Sequence, residues 1–378
     1  MSEYQYYEFQ AIDRPLDRAA QEALRSISSR ARITATSFTN HYDWGDFRGN
    51  PRNLMEQWFD LHLYLANWGT RRLMMRVPER FLKRADLDPF LREVDWVKIW
   101  TSGDSLILDI NHDEEEPFDA WDDGSGWLAT LAQLRADVLS GDLRLFYLLW
   151  LAAVQYELVS DGELEPLPGI GPLTGPLEAF AEFFVMDRNL VEAAAESGAS
   201  DAEISKHDLR EALAAIPEEE KTELLVRLLQ GDSHVGAELK SRLRNERPVP
   251  SAPRRTVSEL RMRAQEIREA RERAEAERQE AERRRQLEEA EKARRVRLKV
   301  LKQRGAGIWR EIEEEIERRN APGYDKAASL LSDLQLLAAE EGSQGEFDRR
   351  LASICARHGN KWKFMERLIK LGLALAEE

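Results

Sequence analysis

The sequence predicts an α+β N-terminal domain followed by all-α regions, with a long charged helix and a small C-terminal helical bundle. Three observations carry this. Aromatic and β-branched runs alternate with helical stripes over the first 125 residues. Helical periodicity alone then continues to about Glu246. Finally, Thr256–Val300 contains no Gly, Pro or aromatic residue and consists mainly of Arg, Glu and Ala.

Taken in order, Tyr4–Ile12 (YQYYEFQAI) reads as a strand, and Asp13-Arg14-Pro15 breaks it. A helix over Leu16–Ser29 follows, with Leu16, Ala19, Ala20, Ala23, Leu24 and Ile27 on one face. Ile33–Phe38 alternates as a strand. Pro51–Trp68 carries a helical stripe of Leu54, Trp58, Leu61 and Leu65. Leu73–Val77 reads as a strand, and Val97–Trp100 with Leu106–Ile110 as a hairpin around Ser102-Gly103-Asp104. The order β-α-β-α-β-β-β suggests a mixed sheet with helices on one face. Helices are then expected over Trp127–Leu139, Leu143–Leu158 and Leu177–Glu192, with two more from Asp201 and from Pro217.

These boundaries give an α+β domain over 1–125, a helical domain over 126–246, a Pro-rich linker over 247–255, the charged helix over 256–304 and the bundle over 305–378. Val257, Leu260, Ala264 and Ile267 fit a coiled-coil register, but that register then places Arg271, Arg278, Arg285 and Lys292 in the seam. Glu–Arg and Glu–Lys pairs four residues apart support a solitary solvated helix instead, on the order of 65 Å long. A short coiled-coil start over 257–267 is the alternative. Four helices make the tail: Ile308–Arg319, Tyr324–Glu340, Glu346–Arg357 and Trp362–Ala376.

The chain carries 55 Lys+Arg against 70 Asp+Glu, net −15, so its whole surface does not suit nucleic acid. One cysteine, Cys355, excludes an internal disulfide and fits a reducing, cytoplasmic setting. The N-terminus lacks the basic and apolar regions of a signal peptide, and the longest apolar run, Leu145–Val154, is about half a membrane span. No membrane association and no cofactor are therefore expected.

Three clusters carry candidate chemistry. His41, Asp43 and Asp46 in NHYDWGDF combine imidazole and carboxylates as an acid–base or metal-assisted site would. A turn using Asn40, Asp43 and Gly45, anchored by Trp44, explains the same letters. Asp109, Asn111 and Asp113 copy the first spacings of a calcium loop, but Glu114 stands where that loop needs Gly and Ala120 where it needs Glu. They open an acidic stretch, since Thr101–Leu134 holds no Lys or Arg; a solvated loop is the competing reading. Lys292, Arg294, Arg295, Arg297, Lys299, Lys302 and Arg304 follow one another without an acidic residue between them, as a phosphate-tracking stripe would. A solvated helix end complementing its own dipole is the alternative, and no aromatic residue interleaves them for base stacking. Cys355 and His358, one turn apart, read as packing more readily than as a nucleophile pair. Gly169-Ile170-Gly171 lacks the pattern of a phosphate loop, and no GxSxG, HExxH or kinase signature occurs.

Tyr324-Asp325-Lys326-Ala327-Ala328-Ser329-Leu330-Leu331, with Phe347, Arg350-Leu351 and His358, resembles the C-terminal helical segment of some bacterial SWIM zinc-finger proteins. The zinc motif itself needs several Cys and His ligands that this sequence lacks, so the resemblance implies a shared docking module and no metal. Tyr7-Glu8-Phe9-Gln10-Ala11-Ile12-Asp13-Arg14-Pro15-Leu16 and Trp44-Gly45-Asp46-Phe47 are similar to the opening of a family of uncharacterised bacterial proteins, a resemblance that implies no activity.

The leading expectation is a non-enzymatic, multidomain interaction or scaffold protein of bacterial type, whose head and tail modules engage protein partners and are joined by a charged spacer helix. The alternatives are nucleic-acid binding through the basic helix end, and a metal-assisted hydrolase centred on His41, Asp43 and Asp46.

Overall fold

The computed structural model describes residues 4–113, 122–198, 206–246 and 253–373. The chain divides into two compact units, Met1–Arg271 and Glu272–Glu378.

In the first unit the aromatic run forms β1 (Gln5–Gln10), and α1 (Arg18–Ile27) begins where Asp17 accepts the Ala20 N–H at 2.7 Å. β2 (Arg32–Ile33) and β3 (Ser37–Tyr42) follow, then α2 (Pro51–Gln57), capped by Asn50. β4 (Leu61–Ala66), β5 (Thr70–Pro78), α3 (Arg84–Leu91), β6 (Val97–Ser102) and β7 (Ser105–Asp113) complete a seven-stranded sheet in the order β2-β3-β1-β4-β5-β7-β6. Every pairing is antiparallel, and helices cover both faces, which corrects the expected mixed sheet covered on one side.

The helix expected over 51–68 ends at Gln57, and β4 replaces its second half. Leu61, Leu63 and Leu65 alternate, and all three bury on one sheet face. That period of two outweighs the helical spacing of Leu54, Trp58, Leu61 and Leu65. In register, Leu63 lies opposite Leu73, and Leu73 opposite Ile110. This face packs against α4 (Trp127–Leu139), α5 (Arg144–Gln155), α6 (Gly175–Phe183) and α7 (Arg188–Ala195). The helix expected over 177–192 is thus two helices, broken at Val185, which takes a left-handed backbone (φ 51°). The opposite face, with Phe9, Phe38, Met74 and Ile107, is covered by Leu24 of α1 and by Leu54 and Met55 of α2.

α8 (Lys206–Ala215), α9 (Glu218–Leu229) and α10 (Val235–Glu246) follow; the expected start at Asp201 lies outside the described residues. Most of the Pro-rich linker, 247–252, also lies outside them. α11 (Val257–Arg304) is one 48-residue helix. Val257, Leu260, Ala264 and Ile267 bury in the same core as α4–α7, so the stripe that fitted a coiled-coil start is used within this unit. That core also runs across the expected boundary at 125/126.

In the second unit, residues 272–297 of α11 are exposed at every position. The helix then turns inward: Leu298 and Leu301 join the core of α12 (Gly307–Glu317), α13 (Ala321–Glu341), α14 (Gln344–His358) and α15 (Trp362–Lys370). The tail therefore has its four expected helices plus the last turns of α11. Gly305, at φ 51°, makes the bend between α11 and α12. Among the described residues no helix is long and apolar enough to cross a membrane.

Candidate functional site

The His41 cluster straddles the end of β3. His41, one residue before the end of β3, lies opposite Tyr6, exposed, with its ring stacked 6.2 Å from that of Tyr4. Asp43 and Asp46 lie in the following turn, where Gln5 Nε2 donates to the Gly45 carbonyl (3.1 Å) and to Asp46 (3.5 Å). Gly45, at φ 85°, supplies the turn conformation. The expected anchor, Trp44, is 77% exposed; Phe47 holds the loop instead, packing against Tyr7, Phe9 and Phe38. No group of three His, Cys, Asp or Glu side chains among the described residues is arranged to hold a metal.

Asp109, Asn111 and Asp113 are alternate residues of β7 and not a loop. A strand spreads such side chains about 7 Å apart, whereas a calcium loop folds them around one ion. Asp109 is buried and already takes both arms of the Arg72 guanidinium, each at 2.7 Å. Residues 114–121 of the acidic stretch lie outside the described residues. Asp122 and Asp123 fold back on their own turn, accepting from Gly124 N–H, Trp127 Nε1 and Ser125.

The basic run divides between two faces of α11. Arg297, Lys302 and Arg304 pair with Asp333 (3.9 Å), Glu341 (2.7 Å) and Glu311 (3.0 Å) of the bundle, and Arg294 lies 3.5 Å from Glu340. Arg295 pairs with Glu291 on its own helix. Lys292 and Lys299 have no ion-pair partner among the described residues. A phosphate-tracking stripe needs many cations free on one side; here most are neutralised by carboxylates of the same unit. Cys355 and His358 are also accounted for within the bundle. Burial pushes the Cys355 thiol up and away from the thiolate form, while His358 is buried with Nδ1 3.5 Å from Glu317.

Two buried charge networks escaped the sequence reading. Asp60, fully buried, accepts the Ile12 and Asp13 N–H groups at 2.6 and 2.9 Å and pairs with Arg76. Arg135 of α4 grips Asp13 with both arms, and His234 Nε2 lies 3.0 Å from Asp13 Oδ1. Burial alone would raise the Asp13 carboxyl; hydrogen bonds from His234 and Arg135 outweigh it and hold the group well below the usual carboxylate range. In the second network Glu165 is fully buried and receives the Tyr147 hydroxyl (2.5 Å) and the Arg255 N–H, Nε and Nη2 (2.8, 3.1 and 3.0 Å). Arg255 also donates to the Ala193 and Ala194 carbonyls, which ties the start of α11 to α7. With their hydrogen bonds taken up internally, these carboxylates hold architecture and offer no free acid or base. The signal for the first was an arginine inside an apolar run, LAQLRADVL, where only a buried partner makes the charge tolerable.

Among the described residues, α9 carries a surface without an internal use. On α9 only Leu224 turns fully inward; Leu225, Val226, Leu228 and Leu229 are exposed, Leu229 by 88%. Beside it, Ile216, Pro217, Leu239 and Leu243 line an apolar cleft between α8 and α10. No family model, curated protein or solved structure matches the chain. A contiguous exposed apolar face on a helix is the kind of feature that marks protein, ligand or membrane contact sites.

Proposed function

We propose that the chain is a non-enzymatic interaction protein in which two separately cored modules share one charged helix, each module engaging a protein partner. The carrying observation is α11: its first turns belong to one apolar core, its last turns to another, and 272–297 between them are solvated. Its middle stretch, 272–297, costs the chain many ordered residues without burying apolar area. The ends of α11 belong to the two cores, and the use of its solvated middle is to join the modules. The exposed leucines of α9 supply a partner surface in the first module. A cytoplasmic setting goes with the single half-buried thiol.

Cross-linking the full chain in a host lysate, followed by mass spectrometry, tests this. Reproducible protein cross-links are expected on both modules, and a Leu225→Glu, Leu229→Glu variant should lose those of the first module alone. Absence of any reproducible intermolecular link, or turnover of a substrate that His41→Ala abolishes, would overturn it.

A further inference from the structure

We infer that the exposed face of α9 docks on the outward face of α11 in a second copy of this chain. The inference rests on reading the α9 face as an interaction surface, and adds its occupant.

Glu218, Thr222, Leu225 and Leu229 recur at steps of four, three and four, so they line one side of α9; Glu219 and Val226 flank it. All six are exposed. The face is acidic at its N-terminal end and apolar beyond. On α11 the positions turned away from Leu298 and Leu301 are Lys292, Val296, Lys299 and Gln303, again at four, three and four, with Val300 beside them. Val296 is 63% and Val300 48% exposed. Lys292 and Lys299 are the two cations of the basic run without an ion-pair partner among the described residues. The chain thus presents one acidic–apolar and one basic–apolar helix face, both uncovered, with the spacing of helices packed at about 20°.

Charge selects between pairings. Two copies of the α11 face would oppose lysine to lysine, and two parallel α9 faces would oppose Glu218 to Glu218; both cost energy, while antiparallel α9 faces avoid that cost but leave the lysines of α11 unpaired. The α9–α11 pairing joins opposite charges at the rim and apolar side chains at the centre.

Sedimentation velocity on the full chain across the micromolar range tests the inference. We expect a concentration-dependent dimer that salt weakens. Lys292→Glu with Lys299→Glu, or Glu218→Lys with Glu219→Lys, should each weaken it by about tenfold, and the four changes together should restore it. These positions are exposed, and circular dichroism will confirm that the variants keep their fold. A chain that is monomeric throughout, or a dimer that neither charge reversal weakens, overturns the inference. If Leu225→Glu, Leu229→Glu removes heterologous cross-links while the chain is monomeric, this inference fails and the interaction reading survives. If those substitutions change neither association nor cross-links, both fail.

Discussion

Arg135 and Asp13 lie 122 positions apart and share two hydrogen bonds, of 3.0 and 2.6 Å, with the Arg135 side chain only 3% exposed. The pair fastens α4 to the turn after β1, and it makes the Asp13-Arg14-Pro15 break a structural joint as well as a strand stop. Arg135→Met should cost about 3–5 kcal/mol, because it leaves Asp13 buried against a lost partner. Urea denaturation of both proteins measures this. Asp13 titrates below its unfolded value, so its contribution is complete above about pH 4 and disappears as pH falls further. The variant's acid limb should therefore be shallower than that of the wild type.

His62 adds a second acid-sensitive element. It stacks 3.9 Å from Phe9, its Nδ1 donates to the Glu8 carbonyl, and its Nε2 has no partner among the described residues. Burial, with help from Arg72, pushes its pKa down to about 3 from 6.5. The unfolded chain takes up the proton first, so stability should fall as pH drops from about 6.5 towards 3. His62→Phe should flatten that slope in unfolding experiments at pH 7 and pH 5; an unchanged slope would remove His62 from the account of acid sensitivity.

The Glu165–Arg255 pair should control how firmly α11 is seated. Glu165→Leu strands a guanidinium, which typically costs about 3–5 kcal/mol. Hydrogen exchange in 257–267 should accelerate before exchange in the sheet does. Equal acceleration everywhere would mean that the pair stabilises the unit without specifically seating α11.

Exposed positions should behave differently. Leu229→Glu and Ala281→Ser should each change stability by no more than about 0.5 kcal/mol, since neither opens a cavity nor strands a charge. Thermal melts check this, and a larger loss at Leu229 would show that α9 is covered within the folded chain.

Much of the architecture was legible because its signals are local. Residues 257–304 had no helix breaker, the tail helices carried clear stripes, and the hairpin at Gly103-Asp104 carried its own turn residues. The segment 51–68 misled because Leu54, Trp58, Leu61 and Leu65 satisfy a helix while Leu61, Leu63 and Leu65 satisfy a strand; only the sheet's need to bury three leucines decides. The burial of Asp60 and Glu165 could not be read, since it depends on Ile12 and Asp13 in one case and Arg255 in the other, 47 to 90 positions away. The basic run was legible as composition, but its division into a bundle-facing and an outward side depends on where Asp333 and Glu341 fall. The α9 surface was legible only as a helix from Pro217, since which of Leu224, Leu225, Leu228 and Leu229 turns inward depends on packing.

Hydrogen exchange along α11 of the full chain, at a concentration low enough to keep it monomeric, tests most directly whether one helix serves two cores. We expect strong protection over 257–271 and 298–304, and weak protection over 272–291, where opening requires breaking no tertiary contact. Protection over 272–291 as strong as at the two ends would contradict the solvated helix on which the proposed function rests.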